Sequence, residues 1–130
     1  MNDATALILE DDPIIGAVFH TVLKRVGFTV EIDATGGNFI KRLENPAPDL
    51  VLLDIHLPYA SGLDILDLIR AHDTWKNSVV IVATADIFHS KPLGAKANHV
   101  LIKPVSVSML MRIISEHWPE MTPPDLDLYS

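Results

Sequence analysis

Five short runs of strand length punctuate the chain, most of them almost purely apolar: Ala6 to Leu9, Thr29 to Ile32, Leu50 to Leu53, Val79 to Ala83 and Val100 to Ile102. A strand with one face in water alternates apolar and polar positions, so runs this continuous predict a sheet buried on both faces. Between them, apolar residues recur with helical spacing at Pro13 to Val26, Gly37 to Glu44, Gly62 to His72 and Ser106 to His117. In the first of these, Ile14, Val18, Val22, Leu23 and Val26 are expected to share the buried face, Pro13 suits the first turn, and Gly27 supplies a stop. In the last, Ser106 is expected to cap the helix while Met109, Leu110, Ile113 and Ile114 form the buried stripe. Strands alternating with helices predict an α/β fold, a doubly wound five-stranded parallel sheet with helices on both faces, because right-handed crossovers lay helices on either side. The packed unit is expected over residues 1–119. Residues 120–130, with Pro123, Pro124 and no apolar period, read as a flexible tail or the start of a linker.

Composition narrows this further. At 130 residues and 48% hydrophobic, the chain can enclose one substantial core but not two ordinary domains. A net charge of −7 with scattered Lys and Arg gives no basic footprint, so direct binding to nucleic acid or to a membrane is not expected. The absence of cysteine excludes disulfides, thiolate nucleophiles and sulfur-ligated metal. The first residues lack positive charge, and Glu10 interrupts the apolar run behind them, so a signal peptide or membrane span does not fit and a cytoplasmic protein is expected.

Ligands of open α/β sheets bind beyond the carboxyl ends of the strands, so polar residues there are the ones to question. The first strand runs into Glu10, Asp11 and Asp12, the third into Asp54, the fourth ends at Thr84, and the fifth at Lys103 and Pro104. Each alone has an ordinary explanation: a solvated acidic loop, a turn cap, a β-branched strand residue, a turn. Their coincidence at four strand ends of one sheet is what points to a site. Carboxylates gathered on such a rim repel one another unless a cation sits among them, and a hard divalent ion such as Mg²⁺ accepts one or two carboxylates with water and phosphate oxygen.

The set Glu10-Asp11-Asp12, Asp54-Ile55-His56-Leu57-Pro58 with Gly62, Thr84-Ala85 and Lys103-Pro104 resembles the signature of response-regulator receiver domains over residues 5–118. The resemblance implies sheet order 2-1-3-4-5, with Asp54 as the phosphoacceptor, assisted by Thr84 and Lys103. It also implies Mg²⁺ held by Asp12 as principal carboxylate, by Asp11, by Asp54 and by the backbone carbonyl of His56, and a cis Lys103-Pro104 bond. Implied partners are a histidine kinase or histidine phosphotransfer protein, an output domain or effector protein, and a second copy of the chain. Self-phosphorylation and self-dephosphorylation, rather than turnover of external substrates, would be its only chemistry.

Several departures from the family pattern bear on output. Val100 stands where the family usually carries Tyr or Phe, Val105 where Phe is usual, and Lys96 where Gly is usual; strand alternation turns the neighbouring His99 to the opposite face. The stretch from Thr84 to Lys103 is short by about one helical turn. With Pro92 and Gly94 inside it, the fourth helix is expected to be short or broken, packed through Ile87, Phe88 and Leu93. The first helix is therefore the expected output surface. The alternative is a pseudo-receiver, a phosphorylation-independent interaction module. A dehalogenase-type phosphotransferase would need a second Asp where His56 stands, and a nucleotide fold would need a Gly-rich turn after the first strand. The six histidines, His20, His56, His72, His89, His99 and His117, show no close ligand pair along the sequence.

Overall fold

The computed structural model describes residues 4–86 and 93–121. Five parallel strands, β1 (Thr5–Leu9), β2 (Thr29–Asp33), β3 (Leu50–Asp54), β4 (Val79–Thr84) and β5 (His99–Ile102), form one sheet in the order β2-β1-β3-β4-β5. The helices are α1 (Pro13–Val26), α2 (Phe39–Arg42), α3 (Gly62–Ala71) and, after β5, α4 (Val107–His117), with 3₁₀ turns at Trp75–Asn77 and Pro119–Met121.

Period-two alternation divides the strands between two cores. Ala6, Ile8, Leu50, Leu52 and Ile81 face Phe19, Val22, Leu23 and Val26 of α1 and Leu110, Met111, Ile113 and Ile114 of α4. Leu7, Leu9, Val51, Leu53, Val80 and Val82 face the other way, onto Phe39, Ile65, Leu66, Ile69 and Trp75. Trp75 is fully enclosed, edge-on to Phe39 at 5.5 Å, and its indole N–H donates to the Asn45 carbonyl at 3.1 Å. Burial on both faces is the reason β1, β3 and β4 are almost wholly apolar, whereas the edge strand β2 is more exposed and carries Glu31 and Asp33.

Local chemistry sets the helix ends. The Asp12 carboxylate accepts from the amides of Ile14 and Ile15, Pro13 opens α1, and Gly27 closes it in the left-handed region at φ 116°, where a side chain would be strained. Ser61 and Ser106 cap α3 and α4 through their hydroxyls, the second as expected. α2 is shorter than the expected Gly37 to Glu44, because Asn38 at φ 69° holds a left-handed conformation that a helix cannot pass through.

Two helical faces differ from expectation. On α1, Ile14 is 76% and Val18 43% exposed, whereas Phe19 takes the core position beside Val22, Leu23 and Val26. On α4, Met109 is exposed and Met111 is buried. Both helices carry apolar residues on more than one face, so periodicity alone does not choose between them.

The short or broken helix expected between β4 and β5 falls mainly on residues 87–92, Ile87 and Phe88 included, which lie outside the described residues. Of its expected packing residues, Leu93 is buried in the core under α3. Packing also runs two residues past the expected end at 119, since Met121 is buried against the α1 core.

Arg70 of α3 fastens this side of the molecule. Its guanidinium donates to the carbonyls of Lys96, Lys76 and Ser78 and to Asn98 Oδ1, at 2.6 to 2.9 Å. Asn98 Oδ1 in turn accepts from the Val80 amide at 2.7 Å, so the start of β5 is tied to both α3 and β4.

Candidate functional site

Sheet register brings three of the charged residues onto one face. Ile8 of β1 is level with Leu52 of β3, so Glu10 and Asp54, two residues further along each strand direction, come level beyond the apolar core. Asp54 pairs with Ala83, and Ala83 with Leu101, which brings Lys103 to the same end of the same face. Thr84 lies at this rim too, but by alternation on the opposite face.

The contacts follow that placement. Lys103 Nζ reaches Asp54 Oδ2 at 2.9 Å and Glu10 Oε1 at 3.4 Å. The His56 amide donates to Asp54 Oδ1 at 3.0 Å, and the Asp12 amide to Glu10 Oε2 at 3.1 Å. Asp54 is thus held at both oxygens and, like Glu10, is only 3% exposed. Thr84 Oγ1 accepts from the Asp86 amide at 3.0 Å, which leaves the hydroxyl proton free to be donated elsewhere. The Lys103-Pro104 peptide is cis.

Glu10, Asp11 and Asp54 each offer a carboxylate oxygen within 4.8 Å of the others. The donor set suits a hard divalent cation: three oxygens, of which Asp11 alone is exposed, at the edge of a buried pair. Asp12, expected as the principal metal carboxylate, is not in this group. The correction has a plain cause, because its side chain is turned to the amides of Ile14 and Ile15 as the cap of α1. Glu10, two residues earlier, takes its place in the cluster. The signal that could have found it is the register of β1 against β3, which sets Glu10 beside Asp54. We expect Asp12→Ala to cost about 1 kcal/mol through the lost cap, and to weaken Mg²⁺ affinity far less than Asp11→Asn does. Urea unfolding and Mg²⁺ titration of both variants check this.

Electrostatics are finely opposed at this rim. Burial pushes the Glu10 carboxyl above its ordinary value; the Asp12 amide works against this, and the negative Asp54 adds to it. Burial alone would lower Lys103, but its hydrogen bond to Asp54 and the charges of Asp54 and Glu10 outweigh that and raise it. The unfolded chain ionises Glu10 near 4.5, whereas the folded protein keeps that proton to higher pH. Stability attached to Glu10 is therefore fullest below 4.5 and is lost as pH rises through the raised value. In metal-free buffer, Glu10→Gln is expected to flatten the dependence of the urea midpoint on pH across that window, relative to wild type.

Away from the rim, histidines not expected to pair come together. His99 Nε2 and His117 Nε2 are 2.9 Å apart, the one on β5 and the other at the end of α4. The absence of a close ligand pair along the sequence does not carry over to the fold. Val100, beside His99, packs on the opposite core, in agreement with the expected alternation.

Comparison with known proteins agrees with this architecture. The family model of the response regulator receiver domain matches residues 6–115. The chain is 33% identical over 115 residues to the aerobic respiration control sensor protein ArcB of Escherichia coli K12, covering 86% of this chain but only 15% of that protein. Against protein PilG of Pseudomonas aeruginosa it is 26% identical over 122 residues, covering 92% of this chain and 90% of the other. Among solved structures, the receiver domain of sensor histidine kinase PA1611 from Pseudomonas aeruginosa PAO1, with a magnesium ion coordinated in its active site cleft, superposes with TM-score 0.78 at 27% identity, covering 88% of this chain and 97% of that one. A CheY-like receiver domain protein from Methanospirillum hungatei JF-1 superposes with TM-score 0.79 at 29% identity, covering 92% and 97%.

Proposed function

The chain belongs to the response regulator receiver domain family, and from that premise we propose that it is a phosphoacceptor of a two-component or phosphorelay system, taking a phosphoryl group on Asp54 with the help of Mg²⁺. The observation that carries this reading is the setting of Asp54, bonded to Lys103 Nζ at 2.9 Å and to the His56 amide at 3.0 Å, with Glu10 and Asp11 converging on it.

A carboxylate oxygen of Asp54 attacks the phosphorus of a phosphohistidine or small phosphodonor in line. The bond from phosphorus to the donor atom breaks, and the leaving group departs with its electron pair. The transferred group brings more negative charge than the carboxylate gives up, so Lys103 Nζ moves from Asp54 Oδ2 to a phosphoryl oxygen. Thr84 donates its hydroxyl proton to another while its oxygen still accepts from the Asp86 amide. The carboxylates of Glu10, Asp11 and Asp54 and the His56 carbonyl would hold Mg²⁺, which when bound supplies the positive charge that lets these anions and the phosphoryl oxygens coexist. The chemistry is confined to uptake and self-dephosphorylation. Displacement of Lys103 and recruitment of Thr84 would bias the neighbouring loops and so report the state.

For the donor we propose a histidine kinase or histidine phosphotransfer protein, in keeping with the sensor-protein relatives. Its docking surface would be α1: Ile14 and Val18 stand exposed there, and a cavity of about 400 Å³ between α1 and the Lys103-Pro104-Val105 segment opens next to the rim. The listener would be an effector protein, an output domain or a second copy of the chain, and a cytoplasmic location goes with the same reading. Incubation with acetyl phosphate, or titration with fluoroberyllate, with and without Mg²⁺, tests the proposal. Mg²⁺-dependent modification of Asp54 is expected. Failure of both reagents in Mg²⁺ would instead favour a pseudo-receiver that interacts without phosphorylation.

A further inference from the structure

We propose that His99 and His117 form a second metal site, a two-histidine clamp for a borderline divalent ion such as Zn²⁺ that ties the start of β5 to the end of α4. The site is independent of the acidic rim, because His99 begins β5 and His117 ends α4, whereas Asp54 lies at the other, carboxyl, end of the strands.

The two Nε2 atoms lie 2.9 Å apart, with the rings nearly perpendicular at 85° and their centroids 5.1 Å apart. At that separation one nitrogen must carry the proton and the other the lone pair, so the two lone pairs compete for one small electrophile. A tetrahedral ion with Zn–N bonds near 2.0 to 2.1 Å sets its nitrogens roughly 3.3 Å apart, a few tenths of an ångström wider than this gap; the ring that carries its proton on Nε2 would shift to the Nδ1–H tautomer, and both rings would turn to aim their lone pairs at the ion.

The scaffold on both sides is already fixed. Asn98, the residue before His99, is bonded through its side chain to Arg70 and to the Val80 amide. Trp118, the residue after His117, returns its amide to the Ile114 carbonyl at 2.7 Å and sets its ring edge-on to Phe28 at 5.1 Å. Ligands on rigid elements lose little freedom on binding, which favours a site made from only two side chains. His117 is exposed and His99 half-buried, so water can complete the coordination shell. Burial, and then the proximity of His117, lower the pKa of His99, which keeps its ring neutral and ready as a ligand; the nearby Glu116 carboxylate opposes this and lends negative charge to an incoming cation.

Neither histidine takes part in the chemistry proposed at Asp54. The consequence of occupancy would be mechanical. An ion would pin the end of α4 to the start of β5.

The test is calorimetric titration of the 130-residue chain with Zn²⁺ in the presence of excess Mg²⁺, which occupies the acidic rim. One Zn²⁺ site is expected in the wild type and in His20→Ala, weakened by about tenfold or more in His99→Ala and in His117→Ala. Ring resonances of His99 and His117 should shift together on addition of Zn²⁺ while those of His20 stay in place. His117 is exposed, so its replacement leaves the fold intact even where His99→Ala does not, and melting in chelator confirms this. Absence of a Zn²⁺ site in the wild type, or equal affinity in His117→Ala, would overturn the clamp. Neither result touches the phosphorylation of Asp54, which acetyl phosphate reads separately.

Discussion

Replacement of Asp54 by Asn is expected to reduce phosphoryl uptake to background while leaving the fold intact. Asn keeps the volume and an acceptor for the His56 amide, so the backbone around the site is undisturbed; what disappears is the nucleophilic oxygen. The stability change should be small, within about 1 kcal/mol, because two effects oppose one another. Removing the Asp54 charge relieves its repulsion of Glu10, but also strips Lys103 of an ionic partner at 2.9 Å. Intact-protein mass after incubation with acetyl phosphate, alongside urea unfolding in metal-free buffer, measures both. Labelling of the Asn variant at a level near wild type would remove Asp54 from its assigned role.

Gly62→Ala is expected to be the most damaging of small substitutions near the site. An added Cβ would sit 2.5 Å from Ile55 Cα, 2.8 Å from the Ile55 carbonyl oxygen and 2.9 Å from that of Asp54. All three are backbone atoms, so no side chain can rotate out of the way. Either the first turn of α3 lifts off or the segment after β3 shifts. A cost of about 3 kcal/mol follows from overpacking of this kind, which lowers Tm by about 10 °C in a domain of this size. Since the displaced segment carries Asp54 and His56, uptake should fall as well, by about a hundredfold for a misplacement near 1 Å. Thermal melting and the rate of acetyl phosphate labelling give the two readings. A variant as stable and as fast as wild type would mean that the segment yields without cost.

The inner strands β1, β3 and β4 were legible because strands covered on both faces need uninterrupted apolar runs, and few other structures do. α1 was legible to the residue at both ends, since Pro13 suits a first turn and Gly27 a stop. Its buried face was not: Ile14 and Phe19 are both apolar, and only the position of the sheet decides which one packs. The same limit explains the exchange of Asp12 for Glu10. Three acidic residues in a row carry no register of their own; the register comes from β1 lying beside β3, and the helix then claims Asp12 as its cap. His99 and His117, eighteen residues apart, meet because the fold sets the end of α4 near the start of β5.

Arg70 shows how unevenly a single contact distributes constraint along a sequence. Three of its four acceptors are main-chain carbonyls, of Lys76, Ser78 and Lys96, and a carbonyl is the same whatever side chain it accompanies. As far as this contact goes, Lys76 and Lys96 can drift freely; Ser78 is additionally held by its hydroxyl on the Pro48 carbonyl. Arg70 itself has no such latitude. A lysine there keeps the charge but loses the planar fork that reaches several acceptors at once, and alanine leaves all of them unanswered. Asn98 can become Asp, which accepts equally well, but not Leu. Substitution tolerance in this region is thus set by which partner contributes a side chain and which contributes only its backbone: Lys76 is held by its carbonyl alone, whereas Lys96 also pairs its ammonium with Asp67 of α3.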